Sequence, residues 1–352
     1  MSMQFETIEF TAGDGMKLNL KHAIGHNGSK EKGPILLVHG AGVRADIFLA
    51  PVEKTFVDYL VEHGYDVWLE NWRASMEFEP NLWTLDQAAV YDHPKAVEKI
   101  IELTGAKTIK AVIHCQGSTS FMMSAVAGLI PQVDVILTNA VSVHFNVPKA
   151  SKIKIAMVSR LLQSLSDYIN PQWAEKPPGL FARLVNMAVK LTHHECDNDV
   201  CRHSSFTYGA GHPTLWMHEN LNPQTHDWLS NEFGFLPTKF YAQVRKSLKN
   251  GHLQAVDSFE QLPQDFVTAP LKTDARFAFF AGKENDCFLA ESQVNSFNHF
   301  NKLKPNFHSL NVIENYGHLC MFMGKDAHKD VFPHMLAALD GQAHNPAGSQ
   351  AA

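Results

Sequence analysis

The stretch Ile109-Lys110-Ala111-Val112-Ile113-His114-Cys115-Gln116-Gly117-Ser118-Thr119-Ser120-Phe121 decides how the rest of the chain is read. It opens on a short apolar run with the character of a buried strand. From Phe121 a second apolar run to Leu129 reads as a helix. Between the two stand His114, Cys115, Gln116 and Gly117. Strand, sharp turn and helix are the setting of the G-x-S-x-G nucleophile elbow, here with Cys115 in the nucleophile slot. Such a turn lifts a side chain above the sheet edge. The N-terminus of the following helix offers backbone N–H groups and a positive partial charge. Both favour the thiolate, which is the reactive form of cysteine. The position two before the nucleophile is usually Gly and here is Ile113, so close packing at the turn must be relieved elsewhere. A cysteine packed as a small hydrophobe is the competing reading.

Working outward, strand and helix patterns alternate. Phe5–Phe10 and Leu18–Ala23 flank Gly13-Asp14-Gly15, a hairpin signal. Pro34–Val38 is a continuous apolar run suited to a strand covered on both faces. It ends at His39-Gly40-Ala41-Gly42. Tyr65–Leu69 and Val133–Leu137 read as further strands, and Asp86 to Leu103 as an amphipathic helix with Gly105 at its C-cap. This alternation implies right-handed βαβ units and a parallel sheet. It stops near residue 140. Residues 145–270 are helical in pattern, with no convincing strand. It resumes with Arg276–Ala281, a helix near Leu289–Phe300, a strand at His308–Ile313 and a helix over Val331–Leu339. The expected organisation is a core over 1–144, a helical cap over 145–270, the second part of the core over 271–340, and a flexible tail over 341–352.

Two further segments complete a constellation. Gly282-Lys283-Glu284-Asn285-Asp286 follows a late strand, where Asp286 suits the acid of a triad and Glu284 competes with it. Asn315-Tyr316-Gly317-His318-Leu319 follows the next strand, where His318 suits the base. The order Cys115, Asp286, His318 is nucleophile, acid, base. His318 would take the thiol proton and later protonate the leaving group, while Asp286 would fix its tautomer. The N–H groups of Ala41 and Gln116 are the candidate oxyanion hole. His39, Gly40, Gly42, His114 and Gly117 would support that loop and the elbow. Any one of the 20 His is more often a packed or surface residue than a base. The weight lies in four features that fall in order, each at the end of an expected strand.

These motifs resemble the α/β-hydrolase superfamily. Gly64-Tyr65-Asp66-Val67-Trp68-Leu69-Glu70-Asn71-Trp72-Arg73, His114-Cys115-Gln116-Gly117-Ser118-Thr119 and Tyr316-Gly317-His318-Leu319 look like acid lipases and cholesteryl-ester hydrolases, which carry Ser at the position of Cys115. Cys115-Gln116-Gly117 and the Gly317-His318 step are also similar to polyhydroxyalkanoate synthases, which use a Cys nucleophile. Cys196-Asp197-Asn198 and the stretch from Thr225-His226 to Phe233-Gly234 look like the hydrolase region attached to cholesterol-oxidase-type flavoproteins. The resemblance implies an α/β-hydrolase fold, a mostly parallel sheet flanked by helices with an inserted helical cap. It implies hydrolysis of esters or thioesters with an apolar acyl group through an acyl-Cys115 intermediate, without a cofactor. The alternatives are an acyltransferase or polyester synthase with the same triad, and a catalytically silent fold that binds an apolar ligand or partner. A functional link to a sterol-oxidase-type flavoprotein follows from the third likeness.

Composition sets the outer limits. With 45% apolar and 19% charged residues the chain has material for a large core and is not a disordered one. A net charge of −6 without a basic block excludes a nucleic-acid-binding face. No stretch is apolar for long enough to span a bilayer, and MSMQFETIEF lacks the features of a secretory signal. The expectation is a cytoplasmic protein acting on a small lipophilic ester or thioester, and compatible with a homo-oligomer. Five Cys in 352 residues are no disulfide scaffold. The segment His193–His203 is the densest polar cluster. Its C-x4-C spacing is loose for zinc, so a polar network is the leading reading, beside a disulfide or a metal, and no metal ligand is assigned.

Overall fold

The computed structural model describes residues 3–24, 30–210 and 213–342, without the side chains of 158–162. Of the expected tail, residues 343–352 lie outside the described part. Eight strands form one sheet: β1 (Gln4–Thr11), β2 (Lys17–Ile24), β3 (Pro34–Val38), β4 (Asp66–Asn71), β5 (Ile109–His114), β6 (Val133–Asn139), β7 (Arg276–Gly282) and β8 (Ser309–Ile313). Their spatial order is β1-β2-β4-β3-β5-β6-β7-β8. The first hairpin is antiparallel, β2 meets β4 antiparallel, and every later pair is parallel. Every residue of β3 and β4 is buried, as expected for strands with helices on both faces. This is the mostly parallel, helix-flanked sheet expected from the sequence.

Helix α1 (Phe56–Glu62) opens with a capping box between Thr55 and Asp58. The helix expected over Asp86 to Leu103 is divided. A short turn at Leu85–Gln87 leads into a π-type turn over Ala88–Asp92, and only then does α2 (His93–Thr104) begin. The cause is Pro94, which has no N–H to give the helical ladder, so the His93 N–H bonds back to the Ala88 carbonyl. The widened turn aims two side chains inward. Asp92 pairs with Arg73 at 2.7 Å, and His93 bridges Glu70 at 2.9 Å and Ser120 at 2.7 Å. Helix α3 (Cys115–Val126) is buried throughout its length.

Between β6 and β7 the chain forms a helical layer: α4 (Lys149–Leu165), α5 (Leu180–Thr192), α6 (Asp199–Tyr208), α7 (Pro223–Trp228) and α8 (Thr238–Asn250). One departure from the sequence reading occurs here. Tyr168–Ile169 pairs antiparallel with Leu236–Pro237, a strand pair too short to leave a periodic pattern. The layer is tied to the core by a two-point contact of Arg44 with Glu232, at 2.5 and 2.7 Å. Its exit runs along the core through the Leu253 N–H, which donates to the Val143 carbonyl. Helices α9 (Glu291–Leu303) and α10 (Phe332–Leu339) complete the flanks.

Candidate active site

The elbow forms where β5 runs into α3 without an intervening residue. Cys115 sits there at φ 55°, in the left-handed region. That conformation costs a non-glycine residue about 1–2 kcal/mol and persists only where the surroundings enforce it. The enforcement is visible. A Cβ at Gly117 would lie 2.1 Å from the His39 carbonyl oxygen, so only glycine lets α3 approach the loop after β3 this closely. A Cβ at Gly40 would lie 3.0 Å from the Cys115 Cβ and 3.4 Å from its Sγ. Ile113, in the slot where Gly was expected, is wholly buried in β5. Ser118 fastens the elbow to the end of β6, at 2.6 Å from both the Thr138 hydroxyl and the Val141 carbonyl.

His318 lies buried in the loop after β8, with its ring centroid 4.6 Å from that of His114. The Cys115 Sγ and one ring nitrogen from each of these His lie within 4.8 Å of one another. The loops after β7 and β8 are joined by main-chain bonds, Lys283 N–H to Ile313 and Glu284 N–H to Tyr316. This union carries Asn285, not Asp286, to His318. The Nδ2 of Asn285 is 3.1 Å from His318 Nδ1. Its Oδ1 is already occupied, accepting the N–H groups of Cys287 and Phe288 at 3.0 and 3.1 Å. Among the described residues no hydrogen bond or ion pair joins Asp286 to His318. The carboxyl of Asp286 is half-buried and raised above its usual range by burial and by Glu284. The sequence offered three polar residues in a row, and the turn that Asn285 caps with its own Oδ1 directs the first acid-sized side chain after Glu284 inward.

Cys287 lies two residues beyond Asn285 and lines the same pocket as the candidate nucleophile. Burial alone would push the Cys115 thiol up. The contact with Cys287, the His318 ring and the Gln116 N–H outweigh it and hold Cys115 well below the ordinary thiol range. Cys287 moves the other way, well above that range, through its contact with Cys115 and its burial, while its S–H donates to the Tyr208 carbonyl at 3.7 Å.

His39, Gly40, Ala41 and Gly42 stand in the loop after β3, and His114 and Gln116 flank Cys115 at the elbow. The His39 Nδ1 is 2.6 Å from the Gly40 carbonyl, and burial lowers this ring to about 3, so it is neutral. The Trp72 indole N–H donates to the His39 carbonyl at 2.9 Å. Gly42 has φ 70° and its N–H donates to Ala74. Burial also holds His114 well down, with its Nδ1 2.9 Å from the Asn139 amide. Gln116, in the first turn of α3, has an N–H without an intrahelical acceptor. Ala41 is fixed from the other side by Tyr208, the last residue of α6, whose hydroxyl donates to the Ala41 carbonyl at 2.8 Å. No periodic or motif signal in the sequence marked Tyr208.

A small, mostly apolar pocket opens from Cys115 into the helical layer. It is lined by Cys115, Gln116, Val147, Ser151, Ile155, Thr207, Tyr208, Phe240, Tyr241, Val244, Cys287 and Phe288. The arrangement can carry out nucleophilic acyl chemistry: a cysteine sulfur, a neighbouring imidazole, backbone donors beside the reacting atom and an apolar pocket. The same sulfur and imidazoles are metal-ligating types, and a second group of such residues lies in the helical layer at Cys196, Cys201, His218 and His226.

No family model matches the chain. Over 97% of its length it is similar to human lipase member K, at 24% identity and covering 89% of that protein. Sterol esterase 2 of Saccharomyces cerevisiae matches at 28% identity over 36% of the chain and 26% of the esterase. Among solved structures, DcsB in complex with a substrate analogue aligns with a TM-score of 0.59 over 97% of this chain and 100% of that one, at 13% identity. Epoxide hydrolase VrEH1 from Vigna radiata aligns at 0.58 over 96% and 98%, with 12% identity. Likenesses at this level of identity speak for the fold.

Proposed function

We propose that this chain, an α/β-hydrolase of the acid lipase and esterase kind, cleaves esters or thioesters of apolar acyl groups through an acyl-Cys115 intermediate. The observation that carries the reading is the Cys115 sulfur at the elbow, within 4.8 Å of a ring nitrogen of His318 and on the wall of an apolar pocket. In the first half-reaction the Cys115 sulfur attacks the acyl carbon. The carbonyl oxygen takes the negative charge and is met by the N–H groups of Ala41 and Gln116. His318 carries the proton shed by the thiol to the departing alcohol or thiol. In the second half a water gives its proton to His318 and attacks the thioester, and the acid leaves as Cys115 is regenerated. Asn285 orients the His318 ring. The apolar walls of the pocket, Phe240, Val244 and Ile155 among them, support a lipophilic acyl group.

Two observations bear on finer points. Cys115 and His318 are 4% and 1% exposed, so water has little access to the intermediate. This favours, as a second reading, transfer of the acyl group to an alcohol or thiol acceptor. Five thiols, none in a disulfide, support a reducing, cytoplasmic setting. Among the described residues no helix is long and apolar enough to cross a membrane.

The test is turnover of p-nitrophenyl esters and acyl thioesters of increasing chain length, for wild type and Cys115→Ala, with intact-mass detection of acylated enzyme. Activity and acylation that vanish together in the variant support the reading. Equal activity in both proteins removes Cys115 as nucleophile. Acylation without release of acid, relieved by an added alcohol or thiol, selects acyl transfer.

A further inference from the structure

We propose that Cys196, Cys201, His218 and His226 form a closed structural site for one Zn(II) ion in the helical layer. Their two sulfurs and two ring nitrogens lie within 4.8 Å of one another. The Cys196 Sγ is 3.4 Å from His226 Nε2, and the Cys201 Sγ is 3.5 Å from His218 Nε2. A tetrahedral ion with Zn–S of about 2.3 Å and Zn–N of about 2.0–2.1 Å requires sulfur and nitrogen about 3.5 Å apart. The two imidazoles stand edge to face at 5.1 Å and 64°, so both can turn a nitrogen to one centre.

The surroundings are built as such sites are. The Asn198 N–H donates to the Cys196 Sγ at 3.3 Å, a bond that stabilises a ligating thiolate. The side chain of the same Asn198 caps α6 by accepting the Cys201 N–H at 3.0 Å. The Arg202 guanidinium donates to the Cys196 carbonyl. Two thiolates neutralise the ion, and two neutral imidazoles complete it, which leaves no open position for chemistry. The ligands come from four segments: the loop after α5, the first turn of α6, the 3-10 turn His218–Asn220, and α7. Sequence spacing hides this, because the His ligands reach in from segments beyond the C-x4-C pair.

The ion would fasten two segments that lean on the candidate active site. Helix α6 begins beside Cys201 and ends at Tyr208, which holds Ala41. His218 follows Met217, whose N–H donates to the Cys320 Sγ at 3.1 Å. The nearby Leu215 carbonyl accepts the Leu319 N–H at 2.8 Å, next to His318.

The test reads the metal directly. Purified, reduced full-length protein is desalted and its zinc measured by plasma mass spectrometry, and zinc-free protein is titrated with Co(II). About one equivalent of zinc, and a cobalt spectrum with tetrahedral ligand-field and thiolate charge-transfer bands, are expected. Cys196→Ser and His226→Asn are each expected to lose the zinc. Cys115→Ser is expected to keep it, and loss there instead would move the ion to the Cys115 group and overturn the proposal. The wild-type cobalt spectrum decides even if the cap variants fail to fold. Protein that takes up neither metal, or that carries a Cys196–Cys201 disulfide by intact mass, overturns it as well.

Discussion

The amide of Asn285 turns its NH2 toward His318, 3.1 Å from Nδ1, because its oxygen is held by the N–H groups of Cys287 and Phe288. An N–H donor at Nδ1 leaves the proton of the neutral ring on Nε2. The tautomer that can accept a proton at Nε2 therefore costs this hydrogen bond, about 1 kcal/mol. Asn285→Asp replaces the donor with an acceptor and is expected to raise kcat/KM, most for alkyl esters, whose alkoxide must leave with a proton. Asn285→Ala is expected to lower it. Asp286→Asn, at a residue that makes no hydrogen bond to the ring among the described residues, should change it less than about threefold. Steady-state kinetics on matched alkyl and aryl esters check all three, and a collapse in Asp286→Asn would restore the acid to Asp286.

The thiol pair makes a prediction about pH. The native value of Cys115 is depressed, so its thiolate persists below the ordinary thiol range of about 8.5. Any stability this provides is fully present above that range. It is lost as pH falls through the lowered value. Alkylation of Cys115 by iodoacetamide, followed by peptide mass mapping, should fall off at a lower pH than that of an ordinary thiol. Cys287, raised by the same contact, and Cys320, pushed up to about 11 by burial, should stay unlabelled. A Cys115 rate that drops tenfold per pH unit immediately below about pH 8.5 would contradict the lowered value.

Gly117 is fixed by space rather than by φ. Gly117→Ala would set a methyl group 2.1 Å from a backbone oxygen, which cannot swing aside like a side chain. The elbow and the loop after β3 must part. A loss of about 2–4 kcal/mol in denaturant unfolding is expected, together with loss of acylation. Retention of both would mean the two backbones separate freely.

Tyr208→Phe removes the bond that steadies Ala41 and leaves the cavity wall in place. A three- to tenfold fall in kcat, about 1 kcal/mol, with KM nearly unchanged is expected. Val244→Trp instead fills the chamber and should move the chain-length optimum to shorter acyl groups. An unchanged optimum would mean the acyl chain lies elsewhere.

The core was legible because its information is local. Pro34–Val38 and Ile109–Ile113 are apolar runs that only a covered strand satisfies, and the elbow is a strand, a turn and a helix in direct succession. The interruption before α2 hinged on one missing N–H at Pro94, which a periodic pattern does not register. Asn285 and Asp286 are neighbours in one loop, and which of them faces His318 is set by the turn's hydrogen bonds rather than by residue type. Tyr208 and Cys287 meet the candidate site from a helix end and a loop whose positions depend on tertiary packing.

Strands β6 and β7 are parallel neighbours, paired from Val135 with Arg276 to Asn139 with Phe280, and the whole helical layer leaves from one and returns through the other. The two ends of that layer therefore stay close together whatever its length. Lengthening, trimming or exchanging it leaves each strand its partner and leaves Cys115 at the start of α3 and His318 in the loop after β8. A lineage carrying this scaffold is free to rewrite the walls of its chamber without relearning how to fold the sheet. Divergence is expected to be fastest between residues 140 and 275 and slowest at the strand ends.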